Sequence, residues 1–559
     1  MTDNSTRGSL VGDVDGQTVC AAFQASVARV PERVALRIPG DEVCLTWADY
    51  GGAVEQVAGA LAALGVGRGD RIVVLSRNRP ELAICEVAAL HLGAACVALF
   101  TASPAATIEH VLADSEPAAM LVESALEARL ADVEHSVEHV LHLEDLESIA
   151  APENFDFDAS WRAARGEDLA ALGYTSGTTG RSKAVEWTQR AALQTVVSFD
   201  RAFQEADGVH DISFAPFAAL SERFAHWHAL LRGSTRTMCP DPTQLGAALL
   251  DARPTRFAGP PQVFQRLRGA LEGTLDTDER SVLNAARTRI GALVQGEPPT
   301  PLGEAEERVL ATLRARLGFD RINLAGTTSA PCPAATQEHY LALGLRFVEF
   351  YAMTETGVIA SQRSGIEDVG TVGKAMPGYE LRIADDGEVL VRSSHAPRRY
   401  RNRSRETAAT YGADGWIHTG DLGRLDGEGR LMLVGRKKEM IIPEHGHNVA
   451  PVGIESALKD ACPHIAHVCL IGDRRPHLVA LVVVEPVHLA DDMEACLAVA
   501  AAIDRVNADL EPREHVRAHA VLADSWLPGG EELTETLKMR RPQIAERYAS
   551  TIERLYVTE

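Results

Sequence analysis

Apolar residues recur at helical spacing from Ala53 to Leu64, a glycine-rich turn GVGRGDR follows, and the run IVVLS predicts a buried strand that feeds the helix PELAICEVAALHLGA. Short Val/Ile/Leu runs continue to alternate with Ala-rich amphipathic stretches to about residue 435, which is the pattern of sheets covered by helices. Beyond GRKKEMII the spacing changes. It predicts a helix at VGIESALKDA, strands at HVCLIGD and LVALVVVE, and helices near Asp491 to Leu510 and Pro542 to Leu555. The expected fold class is α/β, with a large layered domain over residues 1–437 and a small α+β domain over 438–559.

A chain of 559 residues, 46% hydrophobic and 24% charged, can bury a large core. Its formal charge of -23 repels nucleic-acid phosphates and anionic lipid surfaces, so a polyanionic ligand needs a locally positive site. No nucleic-acid partner is expected. Nine scattered cysteines fit reduced thiols, and the polar start MTDNSTRGSLVGDVDGQ does not look like a signal peptide, so a cytoplasmic location is expected. The apolar runs are strand-length, short of the ~20 residues a membrane helix needs, and no stable membrane insertion is expected.

The strongest chemical signal is YTSGTTGRSKA, Tyr174 to Ala184, placed between the apolar stretch LAALGY and the helical pattern WTQRAALQTVV. Its glycines let the backbone bend tightly, while Thr175, Ser176, Thr178 and Thr179 add hydroxyl donors and Lys183 adds a cation. Such a loop can wrap a polyphosphate, although GTTGRSK does not fit Walker spacing.

The string resembles the YTSGTTGxPKGV signature of the adenylate-forming superfamily, which includes acyl-CoA synthetases, peptide-synthetase adenylation domains and beetle luciferases. Further motifs follow in that family's order. EFYAMTETG resembles its YGMTE element, which implies that Tyr351 stacks on adenine, Thr354 reaches the α-phosphate and Glu355 holds Mg2+. GWIHTGDLG and GRKKE imply Asp421 and Arg436 as ribose-binding residues, and Lys438 as the hinge between the domains. LTETLKMRR resembles the element that carries the adenylation lysine, here Lys538. By the same resemblance Thr175, Ser176, Gly177, Thr178, Thr179, Gly180 and Lys183 hold the phosphates, and the small domain is a mobile lid. The implied catalytic set is Lys538, Thr354 and Glu355, with ATP and Mg2+ as cofactors and coenzyme A as co-substrate.

SFAPFAALSERF and FAGPPQVFQRL resemble elements of the long-chain and very-long-chain acyl-CoA synthetases, which implies a hydrophobic carboxylic acid as substrate. Ala219, Glu222, Arg223 and Trp227 are the acyl-pocket candidates, and loss of bulk at Ala219 suits a long-chain or rigid polycyclic acid. Two departures open further readings. Thr328 stands where the adenine loop has glycine, so either Gly326 takes that role through a shifted loop or Thr328 and Ser329 make the contacts themselves. In the coenzyme A channel EHGHN replaces GGKN, so His445 and His447 flank Gly446 where a bare backbone should pass the thiol arm. The alternative is an enzyme that stops at acyl-AMP and hands it to a partner enzyme or carrier protein, as in specialised biosynthesis. A nucleotide-binding pseudoenzyme is a third reading, opposed by Lys538 and Glu355. A homodimer is left open. The basic stretch PRRYRNRSR is read as a solvated loop without a ligand.

Overall fold

The computed structural model describes residues 17–175, 181–298, 301–363, 365–462, 464–484 and 493–557. The large domain is built on one mainly parallel sheet and one mixed sheet. In the first, six strands run in the order His139–His142, Ala119–Val122, Arg71–Leu75, Ala95–Leu99, Leu169–Tyr174, Ala184–Thr188, with only the last pair antiparallel. Arg71–Leu75 and Ala119–Val122 are nearly all buried, as strands covered on both faces must be. The second has five strands, Arg256–Gly259, Leu324–Thr327, Phe347–Met353, Gly357–Ser361 and Lys374–Ala375; the first three are parallel and the rest antiparallel. A four-stranded antiparallel meander, Tyr379 to Arg436, completes the site side of the domain, and a further four-stranded sheet lies on the opposite flank.

Local chemistry sets the helix starts. Thr46 and Asp49 form a reciprocal capping box on Trp47–Ala63, which begins earlier than the apolar periodicity from Ala53 indicates. The WTQRAALQTVV segment is divided: Trp187 and Thr188 close a strand, and Thr188 Oγ1 accepts from Ala191 N–H at 3.2 Å to open the helix Gln189–Phe203.

The small domain has the expected helix Pro451–Ala461, with proline in its first turn, and the expected strands Ile465–Ile471 and Leu478–Val484. A third strand, Val516–Leu522, pairs parallel with Leu478–Val484; its polar interruptions in VRAHAVL hide it from a hydrophobic scan. The C-terminal helical stretch is two helices, Arg541–Arg547 and Ala549–Val557. Contacts between the domains include Gln265 Nε2, which donates to Asp460 Oδ1 at 2.9 Å, and Gly529, which lies on the Ala102 carbonyl, where a Cβ would come within 2.6 Å of the oxygen. Among the described residues no helix is long and apolar enough to cross a membrane.

Candidate active site

The antiparallel pair Leu169–Tyr174 and Ala184–Thr188 frames the phosphate-loop hairpin, with Tyr174 opposite Ala184. Just beyond that pair, Thr175 N–H donates to the Lys183 carbonyl at 3.0 Å and Lys183 N–H donates to Thr175 Oγ1 at 3.3 Å. Thr175 and Lys183 thus stand together at the hairpin mouth. Ser176, Gly177, Thr178, Thr179 and Gly180 lie outside the described residues. Gly173 keeps the hairpin close to its neighbour, because a Cβ there would come within 3.1 Å of Thr354 Cγ2. Trp187 Nε1 locks the contact by donating to the Thr354 carbonyl at 3.0 Å.

Thr354 and Glu355 sit half-buried on the turn between Phe347–Met353 and Gly357–Ser361. Tyr351, on the first of these strands, is buried and donates its hydroxyl proton to Asp421 Oδ2 at 2.5 Å. Asp421 faces Arg436 across adjacent meander strands, and Arg436 Nε lies 2.8 Å from its other oxygen. Burial raises the Asp421 carboxyl above the ordinary range, and the Arg436 charge and the Tyr351 hydroxyl counter it only in part. The resting aspartate is therefore already satisfied by one neutral and one charged donor.

Lys538 comes from the small domain. Its loop is closed by Leu537 N–H to the Thr534 carbonyl and by Lys538 N–H to Thr534 Oγ1, each at 3.0 Å, with Leu537 in the left-handed region at φ 64°. Lys538 is exposed as a residue, yet the surrounding protein lowers its pKa by desolvation and by the Arg436 charge, while Glu355, Asp421 and Glu439 pull the other way. Lys538, Glu355, Asp421 and Arg436 are thus close enough to act on one another's charge, two acids beside two cations.

The oxygen donors of this group suit a magnesium ion. Glu355 Oε1 accepts the Tyr400 hydroxyl at 2.7 Å, and among the described residues nothing donates to Oε2. One free carboxylate oxygen, completed by phosphate oxygens and water, is a normal Mg2+ environment.

In the loop expected to meet adenine, Thr328 N–H reaches the Gly259 carbonyl at 3.3 Å and Ser329 adopts φ 78°, exposed. Gly326 lies inside the strand Leu324–Thr327, and a Cβ on it would be 2.1 Å from the Phe350 ring. Gly326 is thus a strand residue held close to Phe350, and the loop begins at Thr328.

The acyl-pocket assignment needs correction. Glu222, Arg223 and Trp227 lie on the buried helix Leu220–Arg232, with their polar atoms committed to interior partners. Arg223 Nε donates to Glu86 Oε1 at 2.8 Å, Trp227 Nε1 to the same oxygen at 3.2 Å, and His226 Nδ1 lies 2.7 Å from Glu86 Oε2. Glu222 pairs with Arg236 at 2.5 Å, and Arg236 continues to Asp211 at 2.8 Å. A polar cage occupies these side chains, leaving only half-buried Ala219, the position before the helix, as a wall candidate.

In the small domain Lys438 is exposed on the single turn Lys437–Glu439, while Lys437 anchors to Asp386 at 2.5 Å. His445 and Gly446 are exposed, and His447 Nε2 lies 3.2 Å from Glu514 Oε1.

Two further features were missed in the sequence. The PRRYRNRSR stretch is no free loop: Arg401 N–H donates to the Ala184 carbonyl at 2.8 Å, Glu186 N–H to the Arg399 carbonyl at 3.2 Å, and Tyr400 bridges to Val185. A tyrosine amid five arginines was its only signal. Glu349 is a buried carboxyl accepting from Cys332 N–H at 3.1 Å and Gln337 Nε2 at 2.9 Å; burial pushes its pKa up to about 8. It fastens the loop after Thr328 to the strand that carries Tyr351.

Comparison with known proteins identifies the family. The AMP-binding enzyme family matches residues 23–400, and the AMP-binding enzyme C-terminal domain matches residues 438–559. The chain is 35% identical over 450 residues to a protein named as fatty-acid–CoA ligase fadD11 of Mycobacterium tuberculosis, covering 75% of this chain and 79% of that one. It is 31% identical to the long-chain-fatty-acid–CoA ligase FadD15 of Mycobacterium bovis, over 92% of each chain. The adenylation domain of a carboxylate reductase from Mycobacterium chelonae superposes with a TM-score of 0.77 at 20% identity, over 97% of this chain and 91% of that one, which speaks for the fold. With one family match spanning most of the large domain and the other the small one, the chain belongs to the AMP-binding, adenylate-forming enzymes, as an AMP-forming acid–thiol ligase.

Proposed function

We propose that this protein activates a long-chain or bulky hydrophobic carboxylic acid with ATP, releases pyrophosphate, and transfers the acyl group to coenzyme A. The observation that carries the reading is the meeting of Lys538, from the small domain, with Glu355, Asp421 and Arg436 of the large one. The printed names of the relatives, fatty-acid–CoA ligases, support the substrate class.

The substrate carboxylate is a weak nucleophile, and negative charge gathers on the α-phosphate oxygens as pyrophosphate departs. Positioned donors and cations are the remedy. Lys538 draws carboxylate and α-phosphate together, Thr354 donates to the α-phosphate, and Thr175 with Lys183 holds the leaving phosphates. Asp421 accepts from the ribose hydroxyls, Arg436 favours its charged form against burial, and Tyr351 offers its ring to adenine. Magnesium on Glu355 supplies charge neutralisation across the phosphates. Rotation about Lys438 then withdraws Lys538 and exposes the adenylate to a thiol, so one cleft serves both half-reactions. An apolar tail adds ~0.8 kcal/mol per buried methylene, which favours long acids.

The pair His445 and His447, the second tied to Glu514, favours a second reading in which the reaction ends at acyl-AMP for a partner enzyme or carrier protein. Incubation with ATP, Mg2+ and a panel of fatty and polycyclic acids, with and without coenzyme A, separates the two by mass spectrometry. Acyl-CoA is the expected product. Acyl-AMP alone selects the second reading, and neither product with any acid overturns both.

A further inference from the structure

Tyr400 touches two groups of the nucleotide site at once. The Lys183 ammonium lies 4.2 Å above the centre of its ring, and its hydroxyl donates to Glu355 Oε1 at 2.7 Å, with Thr410 Oγ1 at 3.4 Å. The ring itself is 4% exposed and packs edge-on against Tyr411, whose hydroxyl reaches the Glu355 carbonyl at 3.5 Å. Its backbone is held by the same zipper that fastens Arg399 and Arg401 to Ala184–Thr188. Among the described residues Lys183 pairs with no carboxylate, so the aromatic face is what steadies the ammonium. A cation resting on a ring keeps its outward N–H donors free. A carboxylate with one oxygen pinned presents the other in one direction.

The geometry points to Tyr400 as a positioning residue for nucleotide and metal binding: its ring aims Lys183 at the phosphates and its hydroxyl orients Glu355 so that Oε2 faces the cation. This rests on the reading of the cleft as an ATP site. The two halves of the role separate by substitution, because Tyr400→Phe keeps the ring and removes the hydroxyl, whereas Tyr400→Leu removes both.

The test is equilibrium binding without any acid, so that no turnover occurs: Mn2+ binding in the presence of ATP, read by electron paramagnetic resonance, and ATP binding at saturating Mn2+, read by calorimetry. Y400F is expected to weaken Mn2+ by ~10-fold while leaving ATP affinity at saturating metal unchanged. Y400L is expected to weaken ATP by a further ~2–5-fold. In double-mutant cycles the Y400F effect vanishes in an E355Q background and the additional Y400L effect vanishes in a K183M background. Y400F with wild-type Mn2+ affinity, or losses that persist in those backgrounds, overturns the role of Tyr400 alone. A wild-type protein that binds neither ATP nor Mn2+ overturns the ATP-site reading and this inference together. Y400F is nearly isosteric, so its thermal transition should match wild type, and its cycle with E355Q decides the matter even if Y400L fails to fold.

Discussion

Glu86 offers the sharpest test of what the helix Leu220–Arg232 does. Its carboxylate is fully buried and serves Arg223, His226 and Trp227, three side chains of that one helix. Burial works against ionisation, but the Arg223 charge and the His226 hydrogen bond overcome it and hold the pKa at about 2. Glu86→Gln keeps the shape and removes the charge, leaving the Arg223 guanidinium buried without its counterion. Breaking one side of such a pair costs ~3–5 kcal/mol. A unit of roughly 400 residues has an unfolding entropy near ~0.8 kcal/mol/K, so ~4 kcal/mol lowers the melting temperature by ~5 °C. Scanning calorimetry measures this directly. The folded pKa is depressed, so the stabilisation is complete above the ordinary glutamate pKa and is lost as pH falls toward about 2; the gap between E86Q and wild type should close over that acid window. The acid-substrate ranking should not change. A variant that melts like wild type but prefers different acids would refute the cage and restore Arg223 and Trp227 to the pocket wall.

Lys538→Ala should cut ATP- and acid-dependent pyrophosphate release by at least ~100-fold while sparing thioester formation from synthetic acyl-AMP, and equal loss in both assays would contradict the two-state use of the cleft. Gly529→Ala combines φ 75° with a Cβ 2.6 Å from the Ala102 carbonyl oxygen; it should slow adenylation more than thioester formation, as followed in the same two assays. Glu349 has a raised folded pKa, so its contribution to stability is fullest below the ordinary glutamate pKa and is lost as pH rises toward about 8. Glu349→Gln should therefore flatten the fall of melting temperature across that interval, and parallel profiles for variant and wild type would show that the carboxyl does not titrate there.

Legibility in the sequence followed the physics of each feature. Arg71–Leu75 and Leu478–Val484 were readable because continuous burial demands continuous apolar residues. Val516–Leu522 was not, because a strand with one partly open face carries Arg517 and His519 among its apolar positions. Residues such as Tyr351, Asp421 and Lys538 were named from short strings because those strings resemble the family's motifs, which carry residue type and local spacing. Glu222, Arg223 and Trp227 were misplaced for the complementary reason: the motif gave their types but not their partners Glu86, Arg236 and Asp211, which come from other elements. Tyr400 escaped because its meaning depends on Lys183 and Glu355, both far away along the chain.

The zipper between residues 399–401 and Ala184–Thr188 also sets an order of assembly. The hairpin that frames the phosphate loop is short and local, but the strand that clasps its outer edge is more than 200 residues downstream, and closing so long a loop is among the slow steps of folding. During synthesis the hairpin therefore emerges well before its clasp. The edge of that hairpin is fastened only once residues 399–401 have been made and brought back to it.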